Sequence, residues 1–443
     1  WTFTTPAAPS YDYSGQWNGT AKPQFQLGMH NFLAETVKFF IEDQKLRTFV
    51  SQPESSDSKF HTVPGKTYYM DVLLRDNLKM DRAGTYSGNL SSSVDIHLNN
   101  GTMQWDACSG SDAFYMVTRD SNTESEGDDL SGFPPRISLY KRTLDAEPWE
   151  LCDRFTVEGQ DQKISYNSPL KIASGSSDIF VAFLSGEQNN AYYTKTRVYK
   201  YRNGEFDTSN YDVVEPSVFH TPTTSDYPPS DFRMIPSEHG GYHLLTNYYN
   251  NSSFTYNITS SAGFGAGETS VTIPPQARFL LLYESSSAGL MEKNIFHNTS
   301  PNNPGSTESR RGFANVGNFD MVSASYTDVN GGFASSSLGG LLITSGFYRD
   351  SGSVTSDDTN YVGSVNLYYS GSVHGTASAH VANPDPANGD HFGIRTSIAN
   401  NNTGPNRQFY FAASTYKNTS HAGYESGSVQ FFTGTIGSGS ASG

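Results

Sequence analysis

Leu341-Leu-Ile-Thr-Ser-Gly-Phe-Tyr-Arg-Asp350 is an apolar run that closes on a charged pair. After a polar interval the chain returns as Gly363-Ser-Val-Asn-Leu-Tyr-Tyr369. An apolar run, a polar loop and then period-two alternation reads as strand, loop, strand. The same pattern recurs along the chain, and the fold depends on what those copies build.

In chain order, Phe25-Gln-Leu-Gly-Met-His30 leads to Thr36-Val-Lys-Phe-Phe-Ile41, and Tyr68-Tyr-Met-Asp-Val-Leu-Leu-Arg-Asp76 leads to Ser93-Val-Asp-Ile-His-Leu98. Ala113-Phe-Tyr-Met-Val-Thr-Arg-Asp120 leads to Arg136-Ile-Ser-Leu-Tyr140, and Asp178-Ile-Phe-Val-Ala-Phe-Leu184 leads to Arg197-Val-Tyr-Lys-Tyr201. Tyr242-His-Leu-Leu-Thr-Asn247 leads to Arg278-Phe-Leu-Leu-Leu-Tyr283. The 341–369 copy is sixth, and Gln408-Phe-Tyr-Phe-Ala-Ala413 with Gly427-Ser-Val-Gln-Phe-Phe432 is seventh. Weaker strands lie between copies, such as Trp149-Glu-Leu-Cys-Asp-Arg-Phe155 and Pro169-Leu-Lys-Ile-Ala173.

Four strands per repeat at this spacing predict an all-β fold, a single β-propeller of seven four-stranded blades. The regular pair is then the second and third strand of each blade. A sandwich array and a β-helix are the alternatives, although a β-helix needs shorter and stricter repeats. The last copy ends at Phe432-Thr-Gly-Thr-Ile436, one strand short of a blade. Trp1-Thr-Phe-Thr4 is expected to supply it, so that the N-terminal strand closes the last blade and removes two edges. The propeller is placed at 1–436, and 437–443 is a Gly/Ser-rich tail or linker.

Composition agrees. Of 443 residues, 13% are aromatic and 41 are glycine, while only 16% are charged, and no long 3.6-residue periodicity is present. Aromatic and β-branched residues suit a pleated, half-buried surface; glycine suits turns. The net charge of −15 argues against nucleic-acid backbones and anionic membranes. No apolar run approaches the ~18 residues of a membrane span. The start at Trp1 matches a processed secretory chain, which predicts an extracellular or cell-surface location. Nine Asn-x-Ser/Thr sequons, at Asn18, Asn89, Asn100, Asn250, Asn251, Asn257, Asn298, Asn401 and Asn418, permit glycosylation without demonstrating it. Cys108 and Cys152 are the two cysteines. They form either one disulfide in an oxidising compartment or two inert thiols.

The stretch Asn318-Phe-Asp-Met-Val-Ser-Ala-Ser-Tyr-Thr-Asp-Val-Asn-Gly331 resembles the inner strand and turn of FG-GAP repeats, which build the seven-bladed propeller of integrin α subunits. His391-Phe-Gly-Ile394 is similar to an inner-strand start. Gly363-Ser-Val-Asn-Leu-Tyr and Gly427-Ser-Val-Gln-Phe-Phe are similar to the third strand. The resemblance implies a calcium turn, for which Asp328 and Asn330 are the oxygen ligands available. Two side chains are few for an ion that takes six to eight oxygens, and a locally hydrogen-bonded Asx turn explains the pair as well.

Arg-Asp closes the second strand at Arg75-Asp76, Arg119-Asp120 and Arg349-Asp350. Other copies hold Glu187 with Tyr192, Tyr248, and Tyr416 at corresponding places. In a propeller these positions open on one face. A ring of Arg, Asp and Tyr there would suit a glycan or a peptide, since Tyr offers rigid stacking area and Arg and Asp offer directed hydrogen bonds. The plainer account is that Arg-Asp ends a strand, with Asp capping the turn. The acidic loop Asp120-Ser-Asn-Thr-Glu-Ser-Glu-Gly-Asp-Asp129 reads as solvated. No Gly-x-Ser-x-Gly, His-Glu-x-x-His or P-loop is present. His239, His243 and His391 would be the histidines for lyase chemistry on uronates.

These observations favour a secreted or surface ligand-recognition propeller whose partner is a glycan or a cell-surface protein. A polysaccharide-active propeller enzyme is the second expectation. A structural or attachment protein of a virion or surface filament, working within a larger surface assembly, is the third.

Overall fold

The computed structural model describes residues 3–4, 37–42, 45–52, 66–73, 102–110, 113–120, 136–143, 150–156, 169–187, 190–214, 231–237, 240–250, 254–257, 270–273, 277–287, 289–297, 319–323, 341–347, 363–369, 379–383, 392–393, 395–400, 408–415 and 428–435. All of its regular structure is β. Backbone contacts divide the chain into two compact units, Ser10–Val214 and Glu215–Gly443 joined by Trp1–Pro9.

The N-terminal strand β1 (Phe3–Thr4) belongs to the second of these units and is taken up below. The Ser10–Val214 unit begins with β2 (Val37–Glu42), β3 (Lys45–Gln52) and β4 (Lys66–Leu73), which pair in that order. Next come β5 (Thr102–Ser109), β6 (Ala113–Asp120), β7 (Arg136–Thr143) and β8 (Glu150–Thr156), then β9 (Leu170–Ser174), β10 (Ile179–Glu187), β11 (Asn190–Arg202) and β12 (Glu205–Val214). Each set is an antiparallel meander whose spatial order follows the chain. The second and third sheets pack face to face over Val117, Leu139, Ile172, Val181 and Phe183, with Phe155, Tyr199 and Phe206 layered between them. β11 turns into β12 at Asn203-Gly204, with φ of 55° and 95°. Both central residues of this two-residue hairpin have positive φ, which is what Asn-Gly tolerates.

The other unit holds β13 (Phe232–Pro236), β14 (Tyr242–Asn250), β15 (Phe254–Asn257), β16 (Ser270–Ile273), β17 (Ala277–Ser286) and β18 (Gly289–His297). Strands β13, β14, β17 and β18 form a meander; β15 and β16 are a separate hairpin inserted in its middle. β19 (Phe319–Ser323), β20 (Leu341–Phe347), β21 (Ser364–Tyr369) and β22 (Ala379–Ala382) form the next sheet. β23 (Arg395–Asn400), β24 (Gln408–Thr415) and β25 (Ser428–Thr435) form the last, and β1 completes it. Phe3 pairs with Gly434 and Thr4 with Thr433, so the N-terminal strand closes the last sheet as expected. Packing between successive sheets buries Leu245, Phe296, Phe319 and Ile343 at one junction and Leu367, Ile398, Phe411 and Phe432 at the next. Phe411 and Phe432 stack at 4.6 Å, a contact worth about 0.5–1.5 kcal/mol beyond its buried area.

Meanders in chain order, stacked on their successors through their first strands within each unit, with the last completed by the N-terminus, are the organisation of a β-propeller. Five of the expected strand pairs are second and third strands as anticipated: β6 with β7, β10 with β11, β14 with β17, β20 with β21 and β24 with β25. The weaker runs at 149–155 and 169–173 are the outer strand β8 and the inner strand β9.

The start of the chain departs from the expected count. The repeat pattern puts 36–41 and 68–76 in separate copies, but β2 and β4 flank β3 in one sheet. Only Asp43 and Gln44 separate β2 from β3, and the repeats read from the sequence place no strand at 45–52. The described residues therefore hold five four-stranded sheets and one three-stranded sheet in place of seven four-stranded blades. The stretches at 25–30 and 93–98 lie outside them.

Of the two alternatives left for the cysteines, the structure takes the thiols: Cys108 and Cys152 are not joined by a disulfide. They sit on β5 and β8, the two edge strands of one four-stranded sheet, roughly 14 Å apart at ~4.8 Å per strand. A disulfide tolerates at most about 7 Å between Cα atoms. Burial raises the thiol pKa of Cys152, opposed by a hydrogen bond with Tyr201. Two thiols per chain should react with Ellman's reagent in denaturant, and a reducing agent should leave the unfolding temperature unchanged. A thiol count of zero would contradict this placement.

Candidate functional site

The first strand of each sheet is an edge strand, and its outward N–H groups need partners from elsewhere. In both units a carboxylate on one first strand supplies a partner to the next. Asp106 on β5 accepts from the Ile172 N–H on β9 (3.1 Å). Asp320 on β19 accepts from the Ile398 N–H on β23 (3.0 Å) through the same Oδ2 that takes the Ser397 hydroxyl (3.1 Å). Each carboxylate thus staples one sheet to its successor.

Three consecutive first strands of the Glu215–Gly443 unit extend this into a row. Arg233 on β13 donates through Nη1 to both oxygens of Asp231 (2.8 and 2.9 Å) and to the Phe232 carbonyl (2.9 Å). Its Nε lies 4.0 Å from Asp320 Oδ1, and its guanidinium stands 5.4 Å from the Phe319 ring centre. Asp231 is fixed to Asn247 within β14: its N–H donates to Asn247 Oδ1 (2.9 Å), while its carbonyl accepts from the Asn247 N–H (3.3 Å). Thr344 on β20 donates to Thr396 on β23 (3.3 Å). Side-chain exposures are 19% for Asp231 and 24% for Arg233 and Asp320, and Ser397 is exposed. These are held, directed groups at a solvent edge, rather than a sealed core pair.

The alternation of short strands creates the row. In Phe232-Arg-Met234 and Phe319-Asp-Met321 the flanking residues are buried, so the middle residue points to the other side. This shared apolar-charged-apolar triplet is the signal by which sequence reasoning could have found Arg233 and Asp320. Asp106, Asp231 and Ser397 carry no comparable mark.

The expected ring of loop residues is placed only in part. Arg75, Asp76, Arg349, Asp350, Tyr416, Asp328 and Asn330 lie outside the described residues, as do His239 and His391. Arg119 and Asp120 close β6 opposite Ile137 and Arg136. Glu187 closes β10 opposite Asn190, and Tyr192 lies within β11. Tyr248 is a correction: it is 3% exposed and stacked on Phe279, so it belongs to the core. The tyrosine follows Leu244 and Thr246 on one fully buried side of β14, where the strand has no solvent face. His243 is likewise buried, opposite Glu284. Glu284 itself pairs with Lys293 at 2.7 Å and accepts from Ser237 at 3.3 Å. Among the described residues no cluster of three His, Cys, Asp or Glu is placed to hold a metal ion.

No protein-family model matches the chain, and no curated protein matches it. The resemblance to FG-GAP repeats therefore brings no family assignment. Solved structures do match. The subtype N10 neuraminidase-like protein of A/little yellow-shouldered bat/Guatemala is 12% identical, with 92% of this chain and 96% of that chain covered at a TM-score of 0.43. Trypanosoma rangeli sialidase in complex with the inhibitor DANA is 10% identical, with 90% and 54% covered at 0.41. The α-L-arabinofuranosidase from Lactobacillus brevis is 12% identical, with 57% and 73% covered at 0.32.

Proposed function

We propose that this chain is a ligand-recognition β-propeller whose ligand is a glycan, working outside the cell or on a surface assembly. The row Asp231, Arg233, Asp320, Ser397 carries the proposal. Its charged groups reach solvent at 19–24% exposure, and its carboxylates are fixed by backbone N–H donors. Rigid, directed donors and acceptors recognise hydroxyl-rich ligands at low ordering cost. A glycan array probed with the full chain tests this. Retention of at least one glycan class is expected; silence across the array would leave a protein partner and end the glycan reading.

The second reading is a propeller enzyme acting on polysaccharide. The observation favouring it is that Asp231 and Asp320 flank one guanidinium on neighbouring first strands, and paired carboxylates are the usual means of glycoside cleavage. Against it, Asp320 is engaged by two backbone N–H groups and a hydroxyl. Three bonds to the first strands make this carboxylate a structural tie between sheets. Release of reducing ends from a panel of polysaccharides, followed over hours, decides between them. No release is expected, and sustained turnover would make the chain an enzyme.

A further inference from the structure

We infer that the ligand of the first-strand row is an uncharged glycan that donates hydroxyls, and not an acidic one. The inference rests on the glycan reading above and adds the substrate class.

Arg233 is the cation of the row, and it already has two anionic neighbours. It donates to both oxygens of Asp231, while Asp320 sits 4.0 Å from its Nε and the Phe319 ring lies against it. An incoming carboxylate would compete with two fixed ones for a single guanidinium. The acceptors have room where the cation does not. Asp231 accepts from the Phe232 N–H and from Arg233 at each oxygen. Asp320 accepts from the Met321 N–H, the Ser397 hydroxyl and the Ile398 N–H. A carboxylate offers about four lone-pair sites, so among the described residues each retains one beyond these bonds. Sites of that kind take O–H donors, and they repel anions. Ser397, whose O–H goes to Asp320, adds an acceptor, and Thr396, which accepts from Thr344, adds a hydroxyl that can donate. Arg395 opens β23 two residues before Ser397; it is exposed and has contacts of its own, so it is the cation that a test must control for.

The experiment compares the full chain's affinity for one immobilised neutral oligosaccharide with its affinity for the same oligosaccharide carrying a terminal carboxylated sugar. The neutral member should bind about tenfold or more tightly, the repulsion expected between like charges a few ångströms apart at a protein surface. Asp231→Asn removes one negative charge and keeps the shape, so it should narrow that ratio. Arg395→Gln should leave the order of preference in place. Equal or tighter binding of the acidic member overturns the inference while the glycan reading survives, and so does a ratio that Asp231→Asn does not change. An acidic preference that disappears in Arg395→Gln overturns it too and assigns the anchor to Arg395. Binding of neither member removes both the parent reading and this one.

Discussion

Gly346→Ala is expected to destabilise the chain by about 3 kcal/mol, at the upper end of overpacking costs. Gly346 lies in β20, in the stretch Leu341-Leu-Ile-Thr-Ser-Gly-Phe. A Cβ there would overlap the carbonyl oxygen of Gly393, which is backbone and cannot swing aside. Two more glycines share the contact. Gly363, at φ 82°, bridges in parallel to Phe392, and a Cβ on it would meet the Phe392 backbone. Gly393, at φ 89°, donates its N–H to the Ser414 carbonyl at 3.0 Å. Backbone thus touches backbone where two neighbouring sheets meet, and a side chain would wedge them apart. Gly204→Ala is the control. Gly204 has a φ of 95° with nothing within 4 Å of a built Cβ, so only the backbone preference is lost, at ~1 kcal/mol. Urea unfolding of both variants measures the difference. Equal costs would show that close approach at Gly346 is relieved by relaxation.

Asp320→Ala is expected to cost about 2 kcal/mol. It removes the acceptor of the Ile398 N–H, of the Ser397 hydroxyl and of the Met321 N–H, and one of the two charges beside Arg233. The side chain is 24% exposed, so water replaces part of what is lost and the figure stays below that of a fully buried charge. Asp320→Asn keeps one acceptor oxygen and should recover part of the stability. Asp106→Ala should match or exceed the Asp320 loss, because Asp106 is 2% exposed and holds the Ile172 N–H. A thermal melt that places Asp320→Ala within 0.5 kcal/mol of the parent would show that the staple contributes little.

The hairpins were legible because their signal is local. Gly363-Ser-Val-Asn-Leu-Tyr-Tyr369 alternates, and Val365 and Leu367 go to the core as that alternation predicts. The closing strand was legible from an incomplete last sheet and a free strand at the other end. β3 was not, because Asp43-Gln44, the two residues between β2 and β3, include neither glycine nor proline to mark a break. The cysteines stayed undecided for a related reason: composition reports how many there are, while sheet order decides that β5 and β8 are far apart. The polar row lay beyond reach because its partners are 77 and 78 residues apart. A lone Asp between Phe319 and Met321 is ordinary in a short strand until the next sheet is set beside it. Tyr248 misled in the opposite direction, since an aromatic at the end of a strand looks the same in sequence whether it stacks on a ligand or on Phe279.

The central claim is that the row formed by Asp231, Arg233, Asp320 and Ser397 is where a glycan is held. The most direct test is the affinity of the full chain for an array-identified glycan, with and without the paired change Asp231→Asn and Ser397→Ala. Ser397 is exposed and Asp231→Asn keeps its shape, so unfolding temperature, recorded alongside, should move by only a few degrees. A loss of about tenfold or more in affinity, as expected when hydrogen bonds to a ligand are removed, with the fold retained, is the predicted result. Unchanged affinity in a folded double variant would place the ligand elsewhere and contradict the account.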